Sequence, residues 1–274
     1  MIMKSNLSVI ITLFKTPANK LKSLKQYKNH PILIFDQATT NNSKQIYEDL
    51  NVEFEYFHSQ KNIGLPKSTN FLISKVKTKY CLFTQADVAI DKISIDNLIK
   101  GINLREDIIF AGPIFEKNRS INTKMELKEN YKLKSKLDAS IMICDVKKVK
   151  EIGFFDEDYF LYWEDKDLME RVSKSNFKMI QILNSFATHD GANSTIDSTK
   201  VKFIRKINFK YGELLFDLKH KELSKIKILR QILINVFFLP INIIILSKTN
   251  IIDNISQILG IIKFIKFLLL KKPT

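Results

Sequence analysis

Glycine and proline are scarce in this 274-residue chain, at seven and six residues, and cysteine is scarcer still, at two. Each shortage excludes something. No glycine-rich turn follows the first apolar run, LSVIITLF at residues 7–14, so both the dinucleotide-binding fingerprint and the P-loop are missing and dehydrogenase or NTPase readings are disfavoured. Cys81 and Cys144 each sit inside an apolar run, KYCLFT and ASIMICDV, that reads as a buried strand. No disulfide framework is indicated, and a reducing compartment is expected. The N-terminal apolar run is short and lacks a small-residue cleavage site, so it reads as a strand rather than a secretion signal. Acidic residues are also in short supply, but unevenly. From Ser198 to Thr274 there are 15 Lys or Arg against 4 Asp or Glu, a net +11 out of +15 for the whole chain. The basic charge therefore belongs to the tail, with nucleic acid and anionic lipid as its two candidate partners.

What is present in the first two-thirds is alternation. Residues 7–14 and PILIF at 31–35 read as buried strands. So do residues 52–57 and 80–84, with helical spacing at 17–27, 43–50 and 66–76 between them. This β-α-β-α-β-α-β order predicts a mostly parallel sheet with helices on both faces. Ligands of such sheets sit beyond the carboxyl ends of the strands. There the sequence places Lys15-Thr16, Asp36 to Thr40, His58 to Asn62, and Gln85-Ala86-Asp87. Further on, a short strand is expected at 108–111, a variable loop at 117–134, a strand at 137–144, and helices at 146–152 and 165–175.

The segment FLYWEDKDLMERV, residues 160–172, joins aromatic residues directly to three acids. Acids at a helix start are stabilised by free N–H groups and the macrodipole, by about 0.3–1 kcal/mol each. Asp167 and Arg171 stand at i,i+4, an ordinary helix pair. Neither point explains the approach of Phe154, Phe155, Tyr159, Phe160, Tyr162 and Trp163. An apolar wall beside a carboxylate raises its pKa and makes it a stronger base.

The segment DASIMICDVKKVKEIGFFDEDYFLYWEDKDLMERV resembles the acceptor half of family 2 glycosyltransferases of the GT-A fold, in the branch that contains bacterial rhamnosyltransferases. SVIITLF, IFDQATTNNS and NIGLPKSTNFLI agree with that family in order and spacing, over about residues 7–195. The resemblance implies donor-binding roles for Asp36, Thr12, Asn62, Gly64 and Asp87, with Asp36 bonded to the nucleobase. It implies acceptor-binding roles for Trp163, Asp167 and Arg171. Asp87 matches the last carboxylate of a DxD-type metal motif whose first position here is Gln85, and His189 resembles a histidine that completes the metal site. One carboxylate with substrate phosphates is enough to hold magnesium, while a histidine tilts the site toward manganese. Asp165 matches the catalytic base of the ED pair, with Glu164 beside it as its catalytic neighbour.

The tail has two apolar stretches. QILINVFFLPINIIILS, residues 231–247, is uncharged over 17 residues, yet Asn235, Pro240 and Asn242 argue against a stable membrane span. Residues 251–270 read as a basic amphipathic helix suited to a membrane surface. Ile and Leu dominate instead of base-stacking aromatics, so no nucleic-acid partner is expected. Packing on the catalytic domain or against a second copy, as a homodimer, is the other use of such helices.

The expectation is thus an α/β GT-A domain over residues 1–200 and a helical, basic, amphipathic membrane-associating tail over 201–274. The activity implied by the resemblance is metal-dependent (manganese or magnesium) inverting transfer of a sugar, rhamnose in that branch, from a nucleotide donor to a glycan or polyprenyl-linked glycan. The location would be cytoplasmic, on the inner face of the cell membrane. The alternative, motivated by Gln85, is a non-catalytic nucleotide- or glycan-binding protein on the same fold.

Overall fold

The structure is a computed structural model that describes residues 6–37, 48, 52–115, 130–189, 198–221 and 223–270. The chain forms two compact units, Met1–Asp156 with Leu168–Ile196 and Glu157–Asp167 with Asp197–Thr274.

In the first unit the strands are β1 (Leu7–Phe14), β2 (Ile32–Gln37), β3 (Phe54–Ser59), β4 (Tyr80–Thr84), β5 (Val88–Ile90), β6 (Ile108–Phe115), β7 (Tyr131–Lys134), β8 (Ile141–Asp145) and β9 (Lys178–His189). They form one sheet in the order β3-β2-β1-β4-β8-β6-β9-β5, with β7 also on β9. Pairing among β1 to β4 is parallel, as the alternation predicts. The other half is mixed: β8 runs antiparallel to both β4 and β6, and β9 is parallel to β6 but antiparallel to β5 and β7. Alternate residues of β1 and β2 serve two cores. Leu7, Val9, Ile11, Ile32 and Ile34 face one, with Leu24 and Tyr27 of the segment after β1. Ile10, Leu33 and Phe35 face the other, with Leu72 and Ile73 of helix α2 (Leu65–Lys75). Period-two alternation thus produces a sheet buried on both faces. The architecture is a mixed α/β fold, a central sheet flanked by helices, with further helices at the C-terminal end.

Several sequence boundaries shift. The helix expected at 17–27 is a four-residue turn, α1 (Ala18–Leu21), followed by a 3-10 helix, Lys22–Tyr27. The strand expected at 137–144 starts only at Ile141, because the Asp138 carboxylate accepts from Ser140 N and Oγ and bends the chain first. Residues 131–134 of the expected loop pair as β7, their polar alternation having concealed an edge strand. The helix expected at 43–50 and loop residues 117–129 lie almost wholly outside the described residues. The remaining helices of this unit are α3 (Lys92–Ile102) and α4 (Val146–Ile152), capped by the side chains of Asp91 and Asp145. Helix α5 (Glu164–Ser173) follows.

The second unit is helical, with α6 (Thr199–His220), α7 (Lys225–Ile244) and α8 (Lys248–Leu270). Its core joins Tyr159 to Tyr211, Leu214 and Leu215 of α6 and to Ile261 and Phe264 of α8.

Candidate active site

The donor-side residues lie at the carboxyl ends of the first strands. Asp36, the penultimate residue of β2, is cross-strand to His58, which puts Tyr56 on the same face of β3 one diagonal away. Tyr56 Oη donates to Asp36 Oδ2 at 2.9 Å. Asp36 is 1% exposed, and its Oδ1 has no hydrogen-bond partner among the described residues. A buried carboxylate oxygen left over in this way is an acceptor that suits a ligand N–H. Thr12 sits on β1 with its hydroxyl 3.3 Å from that of Thr69. Asn62 Oδ1 accepts from Gly64 N at 2.9 Å, and Gly64 turns into α2 with φ 90°, a conformation that disfavours any side chain. Gln37 Oε1 accepts from Ile63 N and ties this turn to β2.

Asp87 and His189 come together through the sheet. Gln85 O accepts from Val88 N, closing a turn between β4 and β5, and Ser23 Oγ donates to Ala86 O within it. Val88 is the register partner of His189 at the end of β9, so the preceding Asp87 meets the imidazole. Asp87 Oδ2 stands 3.4 Å from His189 Nε2, and that nitrogen is buried without a hydrogen bond among the described residues. Two donors each about 2.1 Å from one ion stand about 3.0–3.5 Å apart at octahedral to tetrahedral angles, so the pair fits a divalent metal. No group of three His, Cys, Asp or Glu side chains placed to hold a metal ion occurs among the described residues.

Residues 153–156 are held within the first unit. Asn70 brackets Phe155: its Nδ2 donates to Phe155 O at 2.7 Å and its Oδ1 accepts from Phe155 N at 3.1 Å. Arg171 donates to the carbonyls of Ile152 and Gly153, both at 2.8 Å, and to that of Phe154. Its guanidinium is engaged with this turn, a structural role that the acceptor-binding expectation lacks.

The acids of the ED segment fall in the second unit. Tyr162 and Trp163 are both left-handed, with φ 69° and 73°, immediately before α5. Each such bulky residue costs about 1–3 kcal/mol and persists only where surroundings impose it. Here Trp163 packs edge-on to Phe209 and tilted on Phe216, both from α6, while Lys166 Nζ lies 3.6 Å over the indole ring. Gly212 lets α6 approach: a Cβ there would lie 2.8 Å from Tyr162 O. Glu164 is 5% exposed with Oε2 lacking a partner among the described residues. Burial, and secondarily the Asp165 charge, push its carboxyl up to about 8. The carboxyl of this segment that burial raises is thus Glu164. Asp165 is half-buried on the first turn of α5. Asp167 is buried and bonded to His220 Nε2 of α6 at 2.7 Å. That hydrogen bond ties the start of α5 to α6 within the unit. His220, 53 residues downstream in sequence, and Tyr56 carry no motif that a single sequence would reveal.

Comparison with known proteins gives the family and the fold. The sequence model of Glycosyl transferase family 2 matches residues 8–165, and the chain belongs to that family. No curated protein matches the chain in sequence. Among solved structures, the mannosyltransferase PcManGT from Pyrobaculum calidifontis, in complex with GDP-Man and Mn2+, has a TM-score of 0.60 at 8% identity, covering 97% of this chain and 88% of that one. GalNAc-T7 with UDP, GalNAc and Mn2+ has a TM-score of 0.55 at 12% identity, over 76% of this chain and only 47% of its own. TarS 1-349 of S. aureus with UDP-GlcNAc has a TM-score of 0.52 at 16% identity, over 86% and 72%. At such identities the likeness is one of fold.

Proposed function

We propose that this protein is an inverting glycosyltransferase that moves a sugar from a nucleoside-diphosphate donor to a hydroxyl of a cell-surface or lipid-linked glycan. Rhamnose is the sugar that the sequence resemblance favours. The observation that carries the reading is the Asp87–His189 pair, 3.4 Å apart at the edge of the sheet, in a chain of Glycosyl transferase family 2. The donor and Mn2+ bound by solved structures of the same fold support it.

In this reading Asp36 Oδ1 accepts from the base of the donor while Tyr56 fixes the other carboxylate oxygen. Asp87 and His189 would hold the divalent ion, and the imidazole favours manganese over magnesium. When bound, the ion supplies positive charge for the departing diphosphate. Asp165 takes the proton of the acceptor hydroxyl as its oxygen attacks the anomeric carbon. The bond to the diphosphate breaks on the opposite face, so the configuration inverts. Glu164 keeps its own proton below about pH 8, which makes it a poor proton acceptor at neutral pH.

A thermal-shift panel of nucleotide sugars with and without Mn2+ tests donor and metal together, since a bound donor raises stability by mass action. The expected result is a Mn2+-dependent shift with one donor class, and transfer that Asp165→Asn abolishes while leaving donor binding nearly unchanged. Metal-independent binding with neither hydrolysis nor transfer would instead support the non-catalytic binding protein.

A further inference from the structure

We infer that α7 is a lipid-docking element, one helix of a hairpin built inside out, whose outer face enters the interface of an anionic bilayer. This goes beyond the transfer reaction and does not depend on it. In the second unit, the α7 residues least open to solvent recur at 228, 231, 232, 235, 239 and 242, the period of one helix face. Two of them, Asn235 and Asn242, hydrogen-bond to α8. Asn254 Nδ2 donates to Asn235 Oδ1 at 3.0 Å, Asn242 Nδ2 donates to Asn254 Oδ1 at 2.7 Å, and Asn250 Nδ2 donates to Asn242 Oδ1 at 3.3 Å. The opposite stripe of α7 is apolar and open: Ile226 is 80% exposed, Leu233 59%, Phe237 66% and Ile244 79%.

Ile228 and Ile232 of the inner face pack on the core of the unit, but a hairpin made for water would also bury Leu233 and Phe237 and turn its asparagines outside. Amides between helices and branched aliphatics outside are the arrangement that lipid favours, because a hydrocarbon surround attracts the apolar face and leaves polar groups to satisfy one another. The asparagines that argue in sequence against a membrane segment are thus turned to α8 and satisfied there.

The place of α8 makes the contact interfacial. Its face with Gly260, Ile261 and Phe264 is committed to α6 and the core of the unit, so α7 is held along a helix that the fold retains. Charge completes the match. Residues 231–247 carry no charge, none of residues 223–252 is acidic, and the apolar run is bracketed by Lys225, Arg230 and Lys248, all exposed. Lys227, between them, is engaged with Glu213 and Asp217 and is not available to headgroups. Exposed cations at both ends of a bare apolar helix suit phosphate headgroups around an inserted face.

The test is flotation of the full chain with vesicles of phosphatidylglycerol and phosphatidylcholine, beside vesicles of phosphatidylcholine alone. The protein is expected to float with the anionic vesicles and to remain bound in high salt. Leu233→Asp and Phe237→Asp, both on the open stripe, are expected to lower partitioning by roughly tenfold or more each, with unchanged circular dichroism. Phe237→Trp adds a readout free of any folding defect: its added emission should move to shorter wavelength on the vesicles and be quenched by brominated acyl chains. Failure to float, complete release by salt, or Asp variants that bind as well as the parent would each overturn the assignment. So would a lipid-free dimer that the same Asp substitutions split, since the face would then belong to a second copy.

Discussion

Replacing Glu164 with Gln should make the protein more stable at neutral pH, by an amount that depends on pH in a defined way. Burial raises the carboxyl from 4.5 to about 8 in the folded chain. Between those values the folded state holds a proton that the unfolded state has released, so stability falls by about 1.4 kcal/mol per pH unit. The accumulated loss is about 3 kcal/mol at pH 7 and about 5 kcal/mol above pH 8, on an order-of-magnitude basis. Stability from this group is whole below pH 4.5 and lost as pH rises through the folded value. Gln has the shape of the neutral acid and no proton to release, so Glu164→Gln escapes the loss. Guanidinium denaturation followed by the emission of Trp163, the only tryptophan and the preceding residue, reads the unfolding of this unit directly. The stability difference between variant and parent should be near zero at pH 4.5, grow through pH 7 and level off above about pH 8. A difference that stays constant from pH 5 to 9 would refute the raised pKa and make Glu164 a competitor of Asp165 for the base role.

Gly260→Ala should destabilise by about 1–3 kcal/mol, although alanine is the better helix former, because its Cβ would fall 2.6 Å from Lys210 Cβ and 2.8 Å from Ile207 O. An unchanged or raised thermal midpoint would show that α6 and α8 can separate freely. His220→Ala should cost about 1–3 kcal/mol by withdrawing a donor from buried Asp167, with His220→Gln recovering part of it. Chemical denaturation measures both, and equal losses in the two variants would show that the hydrogen bond contributes nothing.

Where apolar runs alternate and are bounded by polar residues, the sequence was readable. Strands β1, β2 and β4 and helix α4 lie within two residues of their expected limits because local pattern and burial agree there. β9 escaped because Gln181, Asn184 and Ser185 interrupt its apolar residues, and its pairing shifts register against β6 between Gly112 and Ile114. The candidate site was readable as a list of positions, since Asp36 lies at the end of one strand and Asp87 follows another, and both ends can be located. Partnership was not. That Asp87 meets His189 depends on a strand register 101 residues apart, and that Asp167 meets His220 depends on helix packing. The pKa of Glu164 is set by burial, a property of the assembled unit that residue type alone does not specify.

Strand β9 also has a consequence for how the chain is made. It borders β6 along one edge and both β7 and β5 along the other, and among the described residues β5 and β7 pair with no other strand. While the ribosome has delivered only the first 177 residues, β1 to β4 can zip together from nearby segments, but β5, β6 and β7 emerge with open edges. Those edges close only when a segment about 45–100 residues later arrives, the costly long-range step in forming a sheet. Half the sheet therefore waits on its last strand, and the same arrival that seals it delivers His189 to Asp87. Nascent chains stalled before residue 189 should be the aggregation-prone ones, with Asp87 still lacking the His189 imidazole beside it.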